Sequence, residues 1–141
     1  MKIKLVIVSI VAVLLMGGST FLAAETVGPF IRANVPFEFR VDDQLMPSGQ
    51  YQIVNCNTRF SLLIRAVDSK PAVLVSSRPY GNDAGVVAKL IFHRYGNVYF
   101  LRQVWIPGTN ASELFESKAE VEYASRGNGP TRITLLASVG K

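Results

Sequence analysis

The sequence is poor in the residues from which most catalytic and metal sites are built. It has one cysteine, Cys56, and one histidine, His93, in 141 residues. A lone cysteine excludes an internal disulfide, so a hydrophobic core has to stabilise the fold. A lone histidine excludes zinc sites that need two or more histidines. We therefore predict no metal site and no cofactor.

Common catalytic and nucleotide-binding motifs are also missing. The chain has no G-x-S-x-G elbow, no phosphate-binding loop and no dinucleotide-binding glycine pattern. A nucleophile–base pair of Cys56 and His93 is the one arrangement that the inventory allows. We interpret Cys56 instead as a small buried residue and His93 as a partly exposed strand residue. The sequence predicts a protein that is not an enzyme, with a Cys–His enzyme as the least supported alternative.

Charge is sparse and is not concentrated in any segment. Charged residues make up 18% of the chain, and the formal net charge is +5. A nucleic-acid-binding protein concentrates its lysines and arginines on one face or in a run. In this chain they occur singly through the central part, at Arg32, Arg40, Arg59, Arg65, Lys70 and Arg78. We predict no binding to nucleic acid.

Only one long hydrophobic run is present, and it lies at the start of the chain. Lys2 and Lys4 precede an apolar stretch over residues 5–16, and small residues follow up to Ala24. This order is typical of a secretory signal peptide, and the stretch is shorter than the roughly 20 residues that a membrane-spanning helix needs. We predict cleavage after Ala24 and a single domain over residues 25–141. That domain has no transmembrane span, is periplasmic or secreted, and carries a net charge of +3 once the two lysines are removed.

The rest of the chain has the hydrophobic pattern of β-strands. Residues 33–41 alternate strictly between apolar and polar side chains, apart from Pro36 on the polar side. Similar short runs are separated by clusters of glycine, proline, asparagine and aspartate. The predicted strands cover residues 33–41, 50–54, 59–67, 72–77, 86–94, 98–106 and 131–137.

Residues 88–107, AKLIFHRYGNVYFLRQVWIP, form the most apolar stretch after residue 24, and we predict a long β-hairpin there. A two-residue Gly96-Asn97 loop pairs Phe92 with Leu101. A three-residue loop starting at Tyr95 pairs Phe92 with Phe100. We favour the second register slightly, because it stacks two aromatic rings across the strands.

Residues 111–126 contain neither glycine nor proline and predict a helix. Asn110 and Glu113 have the spacing of a capping pair, and Gly127 follows as a stop signal. The expected apolar face contains Leu114, Phe115, Lys118 and Val121. The alternative is a strand, because Val121 and Tyr123 alternate with polar neighbours.

Together these elements predict a mainly β fold. We expect an antiparallel small barrel or curled sheet of about seven strands, with one helix before the last strand. We also expect the last strand to pair with the first, because closure would remove exposed sheet edges.

Only one group of residues is a candidate binding surface. Arg94, Tyr95, Tyr99 and Arg102 lie near the hairpin turn and could form an aromatic and basic patch. Trp105 and Phe100 are better explained as core residues.

Three segments resemble a family of small exported bacterial β-proteins. These are residues 35–54 (VPFEFRVDDQLMPSGQYQIV), 62–65 (LLIR) and 88–105 (AKLIFHRYGNVYFLRQVW). They are similar to that family's VPF-x-F strand, L-P-A-G-x-Y turn and F-x-R-Y-G-x-x-Y-F-L hairpin. Here Met46-Pro47-Ser48-Gly49 replaces the L-P-A-G sequence. The matching residues are those that build a fold, so the resemblance implies an exported β-protein and no particular mechanism.

The function expected from sequence is therefore a binding or structural role in the cell envelope, without catalysis. The partner would be an envelope protein or a glycan. The alternative is a carrier that holds a small apolar ligand inside the barrel.

Overall fold

The structure is a computed structural model, and it describes residues 29–56, 60–68, 71–81, 85, 87–127 and 129–140. The predicted signal peptide, residues 1–24, lies outside the described residues.

The described part of the chain forms eleven strands and one helix. The strands are β1 (Phe30–Val35), β2 (Phe39–Val41), β3 (Gln44–Met46), β4 (Gly49–Cys56), β5 (Ser61–Ala66), β6 (Ala72–Tyr80), β7 (Lys89–Tyr95), β8 (Val98–Trp105), β9 (Ala111–Leu114), β10 (Thr131–Leu136) and β11 (Ser138–Val139); the helix is α1 (Lys118–Ser125). The predicted mainly β fold, with one helix before the final strands, is confirmed. No described helix is long and apolar enough to cross a membrane.

The prediction of about seven antiparallel strands is wrong, and of the two predicted forms, barrel or curled sheet, the closed barrel is excluded. The strands form one mixed sheet in the order β10-β7-β8-β9-β6-β5-β4-β1-β11, with β2 pairing β8 and β3 pairing β2. The β2–β8 contact is parallel, with Arg40 opposite Phe100. The path of paired strands is open, because it ends at β10 on one side and at β11 on the other.

Short strands account for the difference in number. The predicted strand over residues 33–41 is divided by Pro36, which cannot donate a ladder hydrogen bond, into β1 and β2. Asp42 and Asp43 both adopt positive φ angles, 46° and 68°, and so form a tight turn from β2 into the unpredicted strand β3. The other two additions, β9 and β11, have four and two residues.

The sheet has two halves: β1, β4, β5 and β11 lie in one, and β7, β8, β9 and β10 lie in the other. Two segments of the chain, β6 and β10–β11, take part in both halves. The first part of β6 pairs with β5, and its second part, from Ser77 onward, pairs with β9. Likewise β10 pairs with β7, and β11 pairs with β1. Only Ala137 separates β10 from β11, and its N–H donates to the carbonyl of Ala88 at 2.9 Å. The prediction that the last strand, residues 131–137, pairs with the first is therefore wrong: that strand pairs with β7, and only the two residues of β11 that follow it pair with β1.

The hydrophobic core takes inward side chains from both halves of the sheet. Ile31, Ile53 and Ile64 of β1, β4 and β5 join Phe92 and Leu101 of the hairpin in one cluster. The ring of Phe37, from the connection between β1 and β2, also reaches this cluster. It stacks on Tyr99 at 3.8 Å and meets the ring of Phe92 edge-on at 5.0 Å.

The hairpin adopts the register that we did not favour. Tyr95 pairs with Val98 across a two-residue Gly96-Asn97 turn, and Phe92 pairs with Leu101. Gly96 has a φ of 63°, which the tight turn requires. Since opposed residues share a face, this register directs Phe92 and Leu101 together into the core and places Phe100 on the outer face.

The prediction of a helix rather than a strand is correct, but the predicted start and the predicted buried face of that helix are wrong. Residues 111–114 form β9, and α1 begins after Ser117, whose hydroxyl accepts a hydrogen bond from the N–H of Glu120 at 3.2 Å. The Asn110–Glu113 capping pair is therefore wrong. Val121 is 51% exposed, whereas the residue that the helix buries is Glu120.

Candidate functional site

The structure separates the four residues that we predicted as a binding surface. Arg94 and Tyr99 are opposite each other near the hairpin turn, and the ring of Tyr99 packs on the core side against Phe37. Tyr95 and Arg102 lie on the outer face, where both contact Glu120 of α1. The structure thus divides the four residues into two pairs on opposite faces of the hairpin, and their predicted binding role stays a prediction.

Arg102 lies at a β-bulge in β8. Ile91 is opposite Gln103, whereas the next residue, Phe92, is opposite Leu101, so Arg102 has no partner in this ladder. An extra residue in one strand locally changes the direction of its side chain. The guanidinium of Arg102 lies beneath the helix, against Glu120, and is only 8% exposed.

The side chains around the helix form a compact polar group, the Glu120 cluster, which consists of Glu120, Arg102, Tyr95 and His93. The Tyr95 hydroxyl donates to Oε2 of Glu120 at 3.1 Å. Nη1 of Arg102 donates to Oε1 at 3.4 Å. Nδ1 of His93 lies 3.5 Å from Oε2 and forms an ion pair only when the ring is protonated. The Glu120 side chain is 2% exposed.

The electrostatics of this cluster keep Tyr95 protonated. Burial, followed by the charge and the hydrogen bond of Glu120, raises the pKa of Tyr95 to about 12. Two buried nitrogens, Nδ1 of His93 and Nε of Arg102, make no hydrogen bond within the described part of the chain. The cluster therefore combines a carboxylate, a guanidinium and a neutral phenol in a place largely closed to solvent.

This arrangement fastens the helix to the sheet. Glu120 is the residue of α1 that points inward, and its three neighbours come from β7 and β8. Beside it, Phe100 meets the ring of Tyr123 at 5.8 Å and that of Tyr95 at 5.8 Å. Phe100 is thus buried under the helix rather than in the main core.

Cys56 and His93 occupy strands that do not pair. Cys56 is on β4, opposite Ser61, and is half-buried with a free thiol, not fully buried as predicted. His93 is on β7, opposite Phe100, and its Nδ1 faces Glu120. Within the described ranges, no group of three or more histidine, cysteine, aspartate or glutamate side chains could hold a metal ion.

Trp105 is also on the outer face, near the end of β8. Nζ of Lys89 lies 4.4 Å from the centre of its ring, and Tyr80 packs edge-on at 6.2 Å. Its indole N–H donates to the side chain of Gln103 at 3.1 Å. Trp105 is half-buried, so its role is to cover this part of the sheet rather than to fill the core predicted from sequence.

A different surface presents apolar side chains to solvent. Phe30, Val54, Leu63 and Leu74 lie directly opposite one another on β1, β4, β5 and β6. They form a continuous line across the outer face of these four strands, which we call the apolar row. Leu74 at its end is 65% exposed, whereas Val54 in its middle is 7% exposed between Phe30 and Leu63.

A second line of side chains runs beside the apolar row. Arg32, Gln52 and Arg65 are opposite one another on β1, β4 and β5, and we call them the basic row. The Arg65 guanidinium donates to Oε1 of Gln52, and that of Arg32 lies 5.9 Å from the ring centre of Phe30. Where these four strands pair with one another, no described outward position holds an aspartate or a glutamate.

The sequence contains only part of the information that defines this face. Alternation along residues 59–67 indicates which side chains share a face within one strand. It cannot show that Leu63 is opposite Leu74, or that Arg32 and Arg65 fall in one line, because this depends on the register between strands. The start of α1 at Ser117 does have a sequence signal, since Ser117 and Glu120 have the spacing of a capping box, but that spacing does not indicate that Glu120 is buried.

The comparisons with known proteins add no relative to this picture: no family model, no curated protein and no solved structure matches the chain.

Proposed function

We propose that this chain is an exported, non-enzymatic domain that binds a protein partner through the apolar and basic rows. The observation that carries the proposal is the apolar row on β1, β4, β5 and β6, which is most exposed at Leu74 and is bordered by arginines. Exposed apolar side chains rimmed by polar groups mark sites of protein association. The proposed export follows from the signal-like sequence of residues 1–24.

The inward positions of the same strands favour binding outside the sheet over a ligand held within it. Ile31, Ile53 and Ile64 are each at most 1% exposed and belong to one contiguous cluster. Their outward neighbours Leu63 and Leu74 have no such cover. An apolar partner surface would gain roughly 25 cal/mol for each Å² of this area removed from water.

The Glu120 cluster supports the non-enzymatic part of the proposal. The Glu120 carboxylate is already bonded to Tyr95 and Arg102, and it helps to attach the helix. A general base requires access to the proton that it removes. At 2% exposure, Glu120 lacks that access.

Site-specific photo-crosslinking in the source cells tests the binding surface. A photoreactive amino acid at position 74, and separately one at position 63, are each expected to give a discrete adduct with a partner protein. The matched control is position 121, where Val121 is also exposed but lies on α1. Adducts of equal yield from positions 74 and 121, or none from position 74, would contradict the proposal.

Export is tested separately by cell fractionation and N-terminal sequencing. We expect the mature protein outside the cytoplasm, beginning at Glu25. A cytoplasmic protein that retains residues 1–24 would contradict this part of the proposal and leave the binding surface to be judged on its own.

A further inference from the structure

We infer that the partner segment is an amphipathic α-helix with acidic side chains beside its apolar stripe, a conclusion that rests on the proposed binding function. The inference follows from the charge of the apolar and basic rows, from the spacing of their side chains and from how far those side chains project.

The charge of the face favours an acidic partner. Arg32 and Arg65 lie on either side of Gln52, and both contribute positive charge next to the apolar row. Arg65 is exposed, and its bond to Gln52 leaves its charge uncompensated. Because carboxylates form bidentate hydrogen bonds with guanidinium groups, glutamate or aspartate beside an apolar stripe complements this face.

The spacing of the apolar row favours a helix that lies across the strands. Neighbouring strands are about 4.8 Å apart, so consecutive side chains of the apolar row have roughly that separation. A helix that places one apolar residue on its contact face in each turn repeats every 5.4 Å or so. Side chains on one face of an extended strand repeat about every 6.8 Å, which is a poorer match.

The uneven projection of the side chains in the apolar row favours a protein segment over a flat lipid surface. Val54 is recessed between the larger side chains of Phe30 and Leu63, while Leu74 projects at the end. A helix side chain fits such a recess, and complementary packing is the usual property of a specific interface. Binding to a bilayer instead favours several apolar side chains that project to the same depth.

Fluorescence anisotropy with a synthetic peptide tests this inference. The probe is a labelled helical peptide of about 18 residues, long enough to fold in part by itself, with leucines on one stripe and glutamates beside it. We expect saturable binding to the full chain that weakens as salt is added. Charge reversal in the Arg32→Glu/Arg65→Glu variant is expected to weaken binding by about tenfold or more.

Two controls isolate the charge pattern of the face. The Lys118→Glu/Arg132→Glu variant changes the net charge equally, at exposed positions on α1 and β10, and is expected to retain binding within about twofold. A second peptide, with lysine in place of every glutamate, is expected to bind the native chain weakly and the Arg32→Glu/Arg65→Glu variant better. Circular dichroism establishes that each variant is folded.

The outcomes separate this inference from the proposed function. Equal or tighter binding of the lysine peptide to the native chain overturns the acidic helix, as does binding only to vesicles of anionic lipid. So does failure of the acidic peptide to bind at all. If Leu74→Glu nevertheless abolishes the photo-crosslinked adduct formed from position 63, the face binds a partner of another chemistry and the proposed function stands. If the acidic peptide fails to bind and Leu74→Glu leaves that adduct unchanged, both the inference and the proposed function are contradicted.

Discussion

Glu120 is a charged side chain that the fold has removed almost completely from water. Its carboxylate is matched by the guanidinium of Arg102 and the hydroxyl of Tyr95. Replacing a buried ion pair with apolar residues is often tolerated, whereas removing one member leaves an isolated charge. The stability of the helix attachment therefore depends on keeping both partners.

Glu120→Gln is expected to lower the free energy of unfolding by about 3 kcal/mol, because it leaves the buried Arg102 without its counter-charge. Chemical denaturation measures this change. The matched control is Glu122→Gln, which affects an exposed pair with Arg126 and should cost less than about 1 kcal/mol.

The double variant Glu120→Gln/Arg102→Met tests the reason for the loss. It should recover much of the stability, since it removes the uncompensated charge. Equal losses for Glu120→Gln and Glu122→Gln, or no recovery in the double variant, would show that the ion pair does not fasten the helix.

Tyr95 gives the same cluster an alkaline pH dependence. Its pKa in the folded protein is about 12, above the ordinary value of 10.0. A raised pKa stabilises the fold fully below the unfolded value, and this contribution is lost as the pH rises through the folded value. Native protein should therefore lose stability between about pH 10 and pH 12, in part through Tyr95.

Tyr95→Phe separates that contribution from other alkaline effects. Near neutral pH the variant should be less stable by about 1 kcal/mol, because it lacks the hydrogen bond to Glu120. Above pH 10 the difference in stability between the native protein and the variant should narrow. Thermal unfolding across this range, with phenolate absorbance followed in parallel, tests the expectation. A stability difference that stays constant with pH would contradict this expectation.

At the scale of elements, the helix depends on its N-cap. Ser117 is buried, and its hydroxyl accepts from the N–H of Glu120, the residue that also anchors α1 to the sheet. Ser117→Ala should cost about 1 kcal/mol in the free energy of unfolding, and Ser117→Asp should cost less because its carboxylate can still accept. A Ser125→Ala variant at the exposed end of the helix is the control. Similar effects for Ser117→Ala and Ser125→Ala would contradict the capping role.

The elements could be predicted from sequence where local pattern determines them. All seven predicted strands overlap observed strands, because alternation and turn residues are local signals. The short strands β3, β9 and β11 have too few residues to show a period, and they exist because a neighbouring strand supplies their hydrogen bonds. The helix start was misplaced for a related reason, since pairing with β6 and β8 draws residues 111–114 into the sheet.

The hairpin register and the candidate site required information that no local pattern carries. Stacking of Phe92 on Phe100 favours one register, but core burial of Phe92 with Leu101 favours the other and prevails. The bulge at Arg102 and the apolar row both follow from how strands align. The sequence alone therefore indicated the aromatic and basic residues of the hairpin but not the face formed by β1, β4, β5 and β6.

At the scale of the whole molecule, contact between the first and last strands connects the end of the sheet to the proposed binding face. The N–H of Gly140 donates to the carbonyl of Phe30 at 3.0 Å, and the Phe30 ring lies over Gly140. A Cβ atom at position 140 would lie 1.8 Å from Cε2 of that ring. The ring has to move if any side chain is introduced there.

Gly140→Ala is therefore expected to displace Phe30 and lower the free energy of unfolding by about 1–2 kcal/mol. Gly127→Ala is the control, because a Cβ there has no atom within 4 Å. In a Phe30→Ala background the effect of Gly140→Ala should largely disappear, which denaturation of the four proteins of this double-mutant cycle would measure. Equal effects of Gly140→Ala in both backgrounds would contradict the expectation.

The location of β10 and β11 at opposite ends of the sheet also determines when folding can finish. β7 and β1 each keep one edge uncovered until residues 131–139 arrive. On a chain made from its N-terminus, those residues are synthesised after the strands with which they pair, and pairings between such distant segments form slowly. We expect the sheet to be completed only after residues 131–139 have been made, with its unpaired edges open to association until then. Such a delay would be compatible with the export that we propose, in which the chain crosses a membrane before it folds.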